Sequence, residues 1–100
     1  MSGLSIGAEF APLAFFQVNI STTAGTLNSF AAIPTRAKHV MIYPEGGLRM
    51  RCDGTNPTGD VGIILDEDLH VFENQRTMMD NMILISDTGG IVAVNIHYFG

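Results

Sequence analysis

Residues 91–99 read Ile-Val-Ala-Val-Asn-Ile-His-Tyr-Phe, and this stretch decides the fold. In an extended chain, Val92, Val94, Ile96 and Tyr98 fall on one side, and Ile91, Ala93, Asn95, His97 and Phe99 on the other. A period of two carried by β-branched and aromatic residues defines a strand. A long strand with almost no tail after it implies that the C-terminus is tied into the interior of a sheet.

Reading backward, the same signal recurs. Met82 to Ile85 is a short apolar run bounded by Ser86-Asp87-Thr88-Gly89-Gly90. Asn74 to Asn81 is polar apart from Met78 and Met79 and reads as a loop or a single helical turn. Strands are expected at Leu69 to Glu73 and Val61 to Leu65, on either side of the acidic turn Asp66-Glu67-Asp68. Leu48, Met50 and Cys52 alternate with Arg49, Arg51 and Asp53, giving one strand an apolar face and a charged face. Lys38 to Tyr43 is a further strand, ended by Pro44 and Gly46-Gly47, and Thr26 to Phe30 is expected to return from a Thr-Thr-Ala-Gly turn. Phe16, Val18 and Ile20 alternate with Gln17, Asn19 and Ser21.

Seven or eight strands with turns every 8–12 residues, and no sustained helical period, predict an all-β fold. A small β-sandwich or jelly roll is the expected architecture. The domain is placed at 15–100. Residues 1–14 carry Gly3, Gly7 and Pro12 around isolated Leu4, Ile6, Phe10 and Leu13, and are expected to form an extended N-terminal arm docking on a neighbouring subunit or lying back over its own core.

Composition narrows function. Hydrophobic residues make up 46% of the 100 and charged residues 15%, against about 25% charged in an average domain. Such a chain folds, and it leaves apolar surface of the kind that marks interfaces. A domain this small buries only about 60–70% of its unfolded surface, so its stability margin is thin. The net charge is −5, and Arg36, Lys38, Arg49, Arg51 and Arg76 are scattered, which disfavours nucleic-acid binding. The first sixteen residues lack a basic segment, and no apolar run approaches the ~20 residues of a membrane span, so a soluble protein without a signal peptide or membrane partner is expected.

Chemistry finds little support. His39, His70 and His97 lie in separate strand patterns with no H-x-H or H-E-x-x-H spacing, and no G-x-S-x-G elbow is present. Cys52 falls on the apolar face of its strand, away from Arg51. Asp53, Asp60 and Asp66 to Asp68 do not match a helix-loop-helix calcium loop and read as solvated, although a cation at the acidic turn is left open. Gly46-Gly47 and Gly89-Gly90 lack a phosphate-binding pattern. The methionines read as core filler, with Met78 and Met79 as possible partner contacts. No catalytic, cofactor or metal residues are assigned, and the chain is not expected to be an enzyme.

Residues 49–62, RMRCDGTNPTGDVG, resemble a group of small tailed-bacteriophage proteins with a strand bearing Arg and Asp, a D-G-T-x-P-T loop and a short V-G-containing strand. The final IVAVNIHYF strand is similar to the way those proteins end, and the similar parts span 38–62 and 82–99. The Arg51-Cys52-Asp53 sequence and the Met-containing 76–82 segment depart from the commoner pattern. The resemblance implies a β-sandwich virion structural component, a capsid decoration or cement protein that binds major capsid subunits and is assembled in the host cytoplasm. A homo-oligomer is implied, with a trimer among the arrangements expected. A tail or head-to-tail connector component is the alternative, and a carbohydrate- or ligand-binding sandwich is the reading from another class. The expected contacts are Leu4, Ile6, Phe10 and Leu13 of the arm, Arg49 and Arg51, and the loop residues Thr55, Asn56 and Pro57.

Overall fold

A computed structural model of the chain describes residues 10–100. The strands are β1 (Pro12–Ile20), β2 (Gly25–Thr26), β3 (His39–Pro44), β4 (Leu48–Arg51), β5 (Ile63–Leu65), β6 (His70–Phe72), β7 (Ile83–Ser86) and β8 (Val92–Phe99). Two short helices, α1 (Leu27–Phe30) and α2 (Arg76–Asn81), interrupt them. The strands form two antiparallel four-stranded sheets in the orders β1-β8-β3-β6 and β2-β7-β4-β5, an all-β sandwich.

The core lies between the sheets. Val94, Ile96 and Tyr98 of β8 meet Val40 and Ile42 of β3, Ile20 of β1 and, from the other sheet, Leu48 and Leu84, all fully buried. Alternation explains the choice: along β8 the side chains are buried and half-buried in strict turn. Tyr98 also needs a partner for its hydroxyl, which donates to the carbonyl of Ala31 at 2.5 Å. Burial pushes that phenol well above its ordinary pKa.

Two segments differ from the sequence reading, and a third, expected as a loop or a single helical turn, is a short helix that fixes the role of its methionines. The return strand expected at Thr26 to Phe30 shrinks to β2, because Thr26 Oγ1 accepts the Ser29 N–H at 3.1 Å and starts α1 instead. Asn28 Oδ1 then accepts the Ile33 N–H at 2.9 Å and closes the following loop. Short polar side chains here bond the local backbone in competition with a sheet ladder.

At the N-terminal side, β1 begins at Pro12, so residues 12–14 of the expected arm pair with β8. Ala11 and Gly100 exchange backbone N–H···O bonds of 3.2 and 2.9 Å, which extends the ladder, and Leu13 leans on the core beside a bulge between Pro12 and Ala14.

The third segment is α2, which buries Met79 and packs Met78 against the core, so these two methionines serve packing. Arg76 fixes the helix: Nη1 donates to the carbonyls of Pro34, Thr35 and Ala37 at 2.9, 3.0 and 3.0 Å, while Nε pairs with Asp80 at 2.9 Å.

Candidate partner-binding face

The outward face of the β1-β8-β3-β6 sheet is assembled by register. Phe15 of β1 stands opposite His97 of β8, which stands opposite Met41 of β3, which stands opposite Val71 of β6. One step along, Gln17, Asn95 and Tyr43 line up, and at the other end Phe99 meets His39. A solvent-facing sheet surface is ordinarily polar. Here Phe15 is 58% exposed and Tyr43 43%, with Leu69 and Val71 also exposed beside them.

Rings run across this face in contact. Phe15 and His97 have centroids 5.8 Å apart, His97 stacks on Phe99 at 4.3 Å, Phe99 meets Phe10 at 5.4 Å, and Phe10 stacks on His39 at 4.3 Å. Both histidines are fixed by backbone. His39, only 4% exposed, accepts the Asn74 N–H on Nδ1 at 3.0 Å, and Asn74 presents that N–H from a left-handed conformation with φ 54°. His97 Nδ1–H donates to the Tyr98 carbonyl at 3.2 Å.

A polar cluster borders the rings. Gln17 Nε2 donates to Asn95 Oδ1 at 3.1 Å, and Asn95 Nδ2 donates to Glu45 Oε2 at 3.0 Å. Phe15, Met41, Tyr43, Leu69, Asn95 and His97 surround a shallow apolar hollow of about 170 Å³. Ligand and cofactor sites are typically about 300–1,000 Å³. The hollow is therefore sized for a single side chain of a partner.

The residues singled out from sequence are divided between the two sheets. Leu4 and Ile6 lie outside the described residues. Phe10 lies on the outward aromatic face and Leu13 packs against the core. Arg49 and Arg51 share the outward face of the other sheet, opposite Ile85 and Ile83. Arg49 Nη1 donates to the Gly62 carbonyl at 3.1 Å, and its buried Nε has no partner among the described residues. Arg51 pairs with Asp53 through Nε at 3.0 Å and through Nη2. That hydrogen-bonded guanidinium holds the Asp53 carboxyl below its usual range. Thr55 and Asn56 are exposed in the loop, whereas Pro57 is buried and anchors it, so Pro57 is not accessible as a contact.

The groups considered for chemistry are dispersed. His39, His70 and His97 sit in β3, β6 and β8. Cys52 lies in a hollow with Met50, Arg51, Asp53, Val61, Gly62 and Ile63, and burial, aided by the Asp53 charge, pushes its thiol pKa up. In the acidic turn, Asp66 pairs with His70 at 3.2 Å and Asp68 accepts the Leu69 N–H at 2.8 Å. Among the described residues no group of three or more His, Cys, Asp or Glu side chains converges on a metal position.

The aromatic face itself was only half visible in sequence. The alternation of residues 91–99 places His97 and Phe99 outward, but their meeting with Phe10, Phe15 and His39 depends on the strand order. No protein-family model matches this chain, and neither does any curated protein or solved structure.

Proposed function

We propose that this chain is a non-catalytic structural protein that binds another protein through the outward face of the β1-β8-β3-β6 sheet. The observation that carries this reading is the run of rings from Phe15 to His39, with its exposed border and its hollow of side-chain size. The exposed Phe15, Tyr43, Leu69 and Val71 around these rings lose water on docking, which is worth about 25 cal/mol per Å² of apolar surface. Their backbone is held rigid by the sheet, so little ordering cost opposes association.

Within that class, the proposed role is a virion component of the capsid decoration or cement type, with major capsid subunits as partners. This finer step rests on the likeness of residues 49–62 and 91–99 to small tailed-phage proteins. The test is binding of the purified protein to intact capsids, read by co-sedimentation and by survival of the particles under heat or osmotic shock. Binding that Phe15→Ser abolishes supports the reading. Failure either to bind or to protect refutes the capsid role, and copy number in an assembled particle distinguishes a shell component from a tail or connector component.

A second reading has its own observation. Phe15 and Tyr43 stand beside the Gln17–Asn95–Glu45 cluster, a pairing of exposed aromatics with amide and carboxylate groups that suits a carbohydrate. Glycan-array binding that Asn95→Ala removes, with no capsid binding, would favour it.

A further inference from the structure

Each sheet of the sandwich has two edges, and three of the four edge strands are short: β2 has two residues, β5 and β6 three each. Shortness is one device by which proteins keep free sheet edges from pairing with other chains, alongside charges, prolines and bulges. The fourth edge, β1, runs nine residues, PLAFFQVNI, with no Lys, Arg, Asp or Glu. Its proline is the first residue and its one bulge lies between Pro12 and Ala14, so both protections sit at one end. Phe15 to Ile20 is left as a regular, uncharged, β-prone edge, paired with β8 on one side and, among the described residues, with no strand on the other.

The pairing also shows which backbone groups are free. The carbonyls of Ala93 and Phe99 accept from Glu45 and Lys38, both at 2.8 Å, on the β3 side of β8. Alternation in an antiparallel ladder then assigns Val92, Val94, Ile96 and Tyr98 to β1. Their partners are Ile20, Val18, Phe16 and Ala14. The N–H and C=O groups of Phe15, Gln17 and Asn19 therefore point to the open side.

We propose that a second copy of this chain closes the edge, with β1 pairing antiparallel to β1 of that copy about a two-fold axis at Gln17. Gln17 then exchanges both hydrogen bonds with Gln17 of the second copy, and Phe15 does so with Asn19. Every outward backbone group of these three residues finds a partner in this register. The faces match too: Phe16 meets Val18 on the core side, and the two aromatic faces join into one eight-stranded surface. No charge lies on β1, so two chains of net charge −5 meet along a neutral seam.

The first described residues lie away from this edge. Ala11 bonds Gly100 on the β8 side, and the Phe10 ring lies over Phe99 and His39, across the sheet from the free edge of β1. The inference uses the strand edge alone and stands or falls apart from the partner-binding reading of the sheet face.

Sedimentation equilibrium on the full chain should show a dimer whose population rises with concentration. Proline is tolerated on an edge strand where its missing N–H would face solvent. Gln17→Pro should thus leave the far-ultraviolet spectrum unchanged and give a monomer, and Asn19→Pro provides the same test if Gln17→Pro fails to fold. Register is read by cross-linking in a Cys52→Ser background. Gln17→Cys places Cα atoms about 5.5 Å apart across the axis, within disulfide range, and should oxidise to a covalent dimer. Asn19→Cys puts the two thiols four residues out of register, about 13 Å apart, and should not. A chain that stays monomeric up to about 1 mM, the concentration at which association is worth only about 4 kcal/mol, overturns the proposal. So does an oligomer that Gln17→Pro and Asn19→Pro leave intact, or faster cross-linking at 19 than at 17.

Discussion

Replacing Tyr98 by phenylalanine removes one oxygen from the centre of the sandwich and leaves the packing of the ring in place. The lost hydroxyl is the partner of the Ala31 carbonyl, 67 positions earlier in the chain and in a residue only 1% exposed. Water has no ready access to that carbonyl, so the substitution leaves a buried acceptor unsatisfied, at a cost of about 1–3 kcal/mol. A domain of this size has about 5–15 kcal/mol in all. At about 2 kcal/mol, the melting temperature should fall by about 8–16 °C, and the urea midpoint by about 0.7–2 M at an unchanged slope. Tyr43→Phe, at an exposed position, is the control and should shift stability by less than about 0.5 kcal/mol. Equal stability of Tyr98→Phe and the parent, within that same margin, would show that the carbonyl finds another partner and that the bond does not pin α1 to β8.

The same tyrosine sets an alkaline limit. Its folded pKa is raised above the unfolded value of about 10, so its contribution is complete below pH ~10 and declines as pH climbs toward the folded value, which denaturation across pH 9–12 should register. For Asp53 the sign is opposite: its depressed pKa marks a contribution present above pH ~4 that disappears on acidification. Arg51→Ala should return the carboxyl to the ordinary range in an NMR titration. Cys52, with its thiol pKa raised by burial, should react with a thiol reagent at pH 7 more slowly than a free cysteine and accelerate with pH; fast labelling of the folded protein would reopen the catalytic reading. Arg76→Lys keeps the charge but cannot reach the three carbonyls and Asp80 at once, as Nη1 and Nε do, and should cost about 2 kcal/mol in urea denaturation. Phe15→Ser should weaken partner binding while costing at most about 1 kcal/mol of stability, the worth of its cross-strand contact with His97.

The strands that sequence located best are those whose burial is strictly alternating. In β8 nothing competes with the period of two, and its observed range is one residue shorter than the 91–99 read from alternation. Thr26 to Phe30 misled because a threonine, an asparagine and a serine bond nearby backbone, and that outcome depends on local geometry rather than on β-propensity. The charged face of Arg49 and Arg51 was legible one strand at a time. The aromatic face was not, because Phe10, Phe15, His39 and Phe99 come from three regions of the chain and become neighbours only through the order β1-β8-β3. Pro57 looked like an exposed loop tip and is instead enclosed, close to the backbone of Gly62.

The position of β8 between β1 and β3 has a consequence in time. Pro12 pairs with Phe99, and chains are synthesised at about 5–20 residues per second, so β1 leaves the ribosome roughly 4–17 s before the far end of its ladder exists. Until then β3 also lacks its central neighbour, and the longest uncharged strand of the protein has neither side covered. Folding of this sheet must await β8, which pairs both β1 and β3, as expected for a topology rich in distant pairings. The interval is one in which a chaperone, or a neighbouring nascent chain, competes for β1.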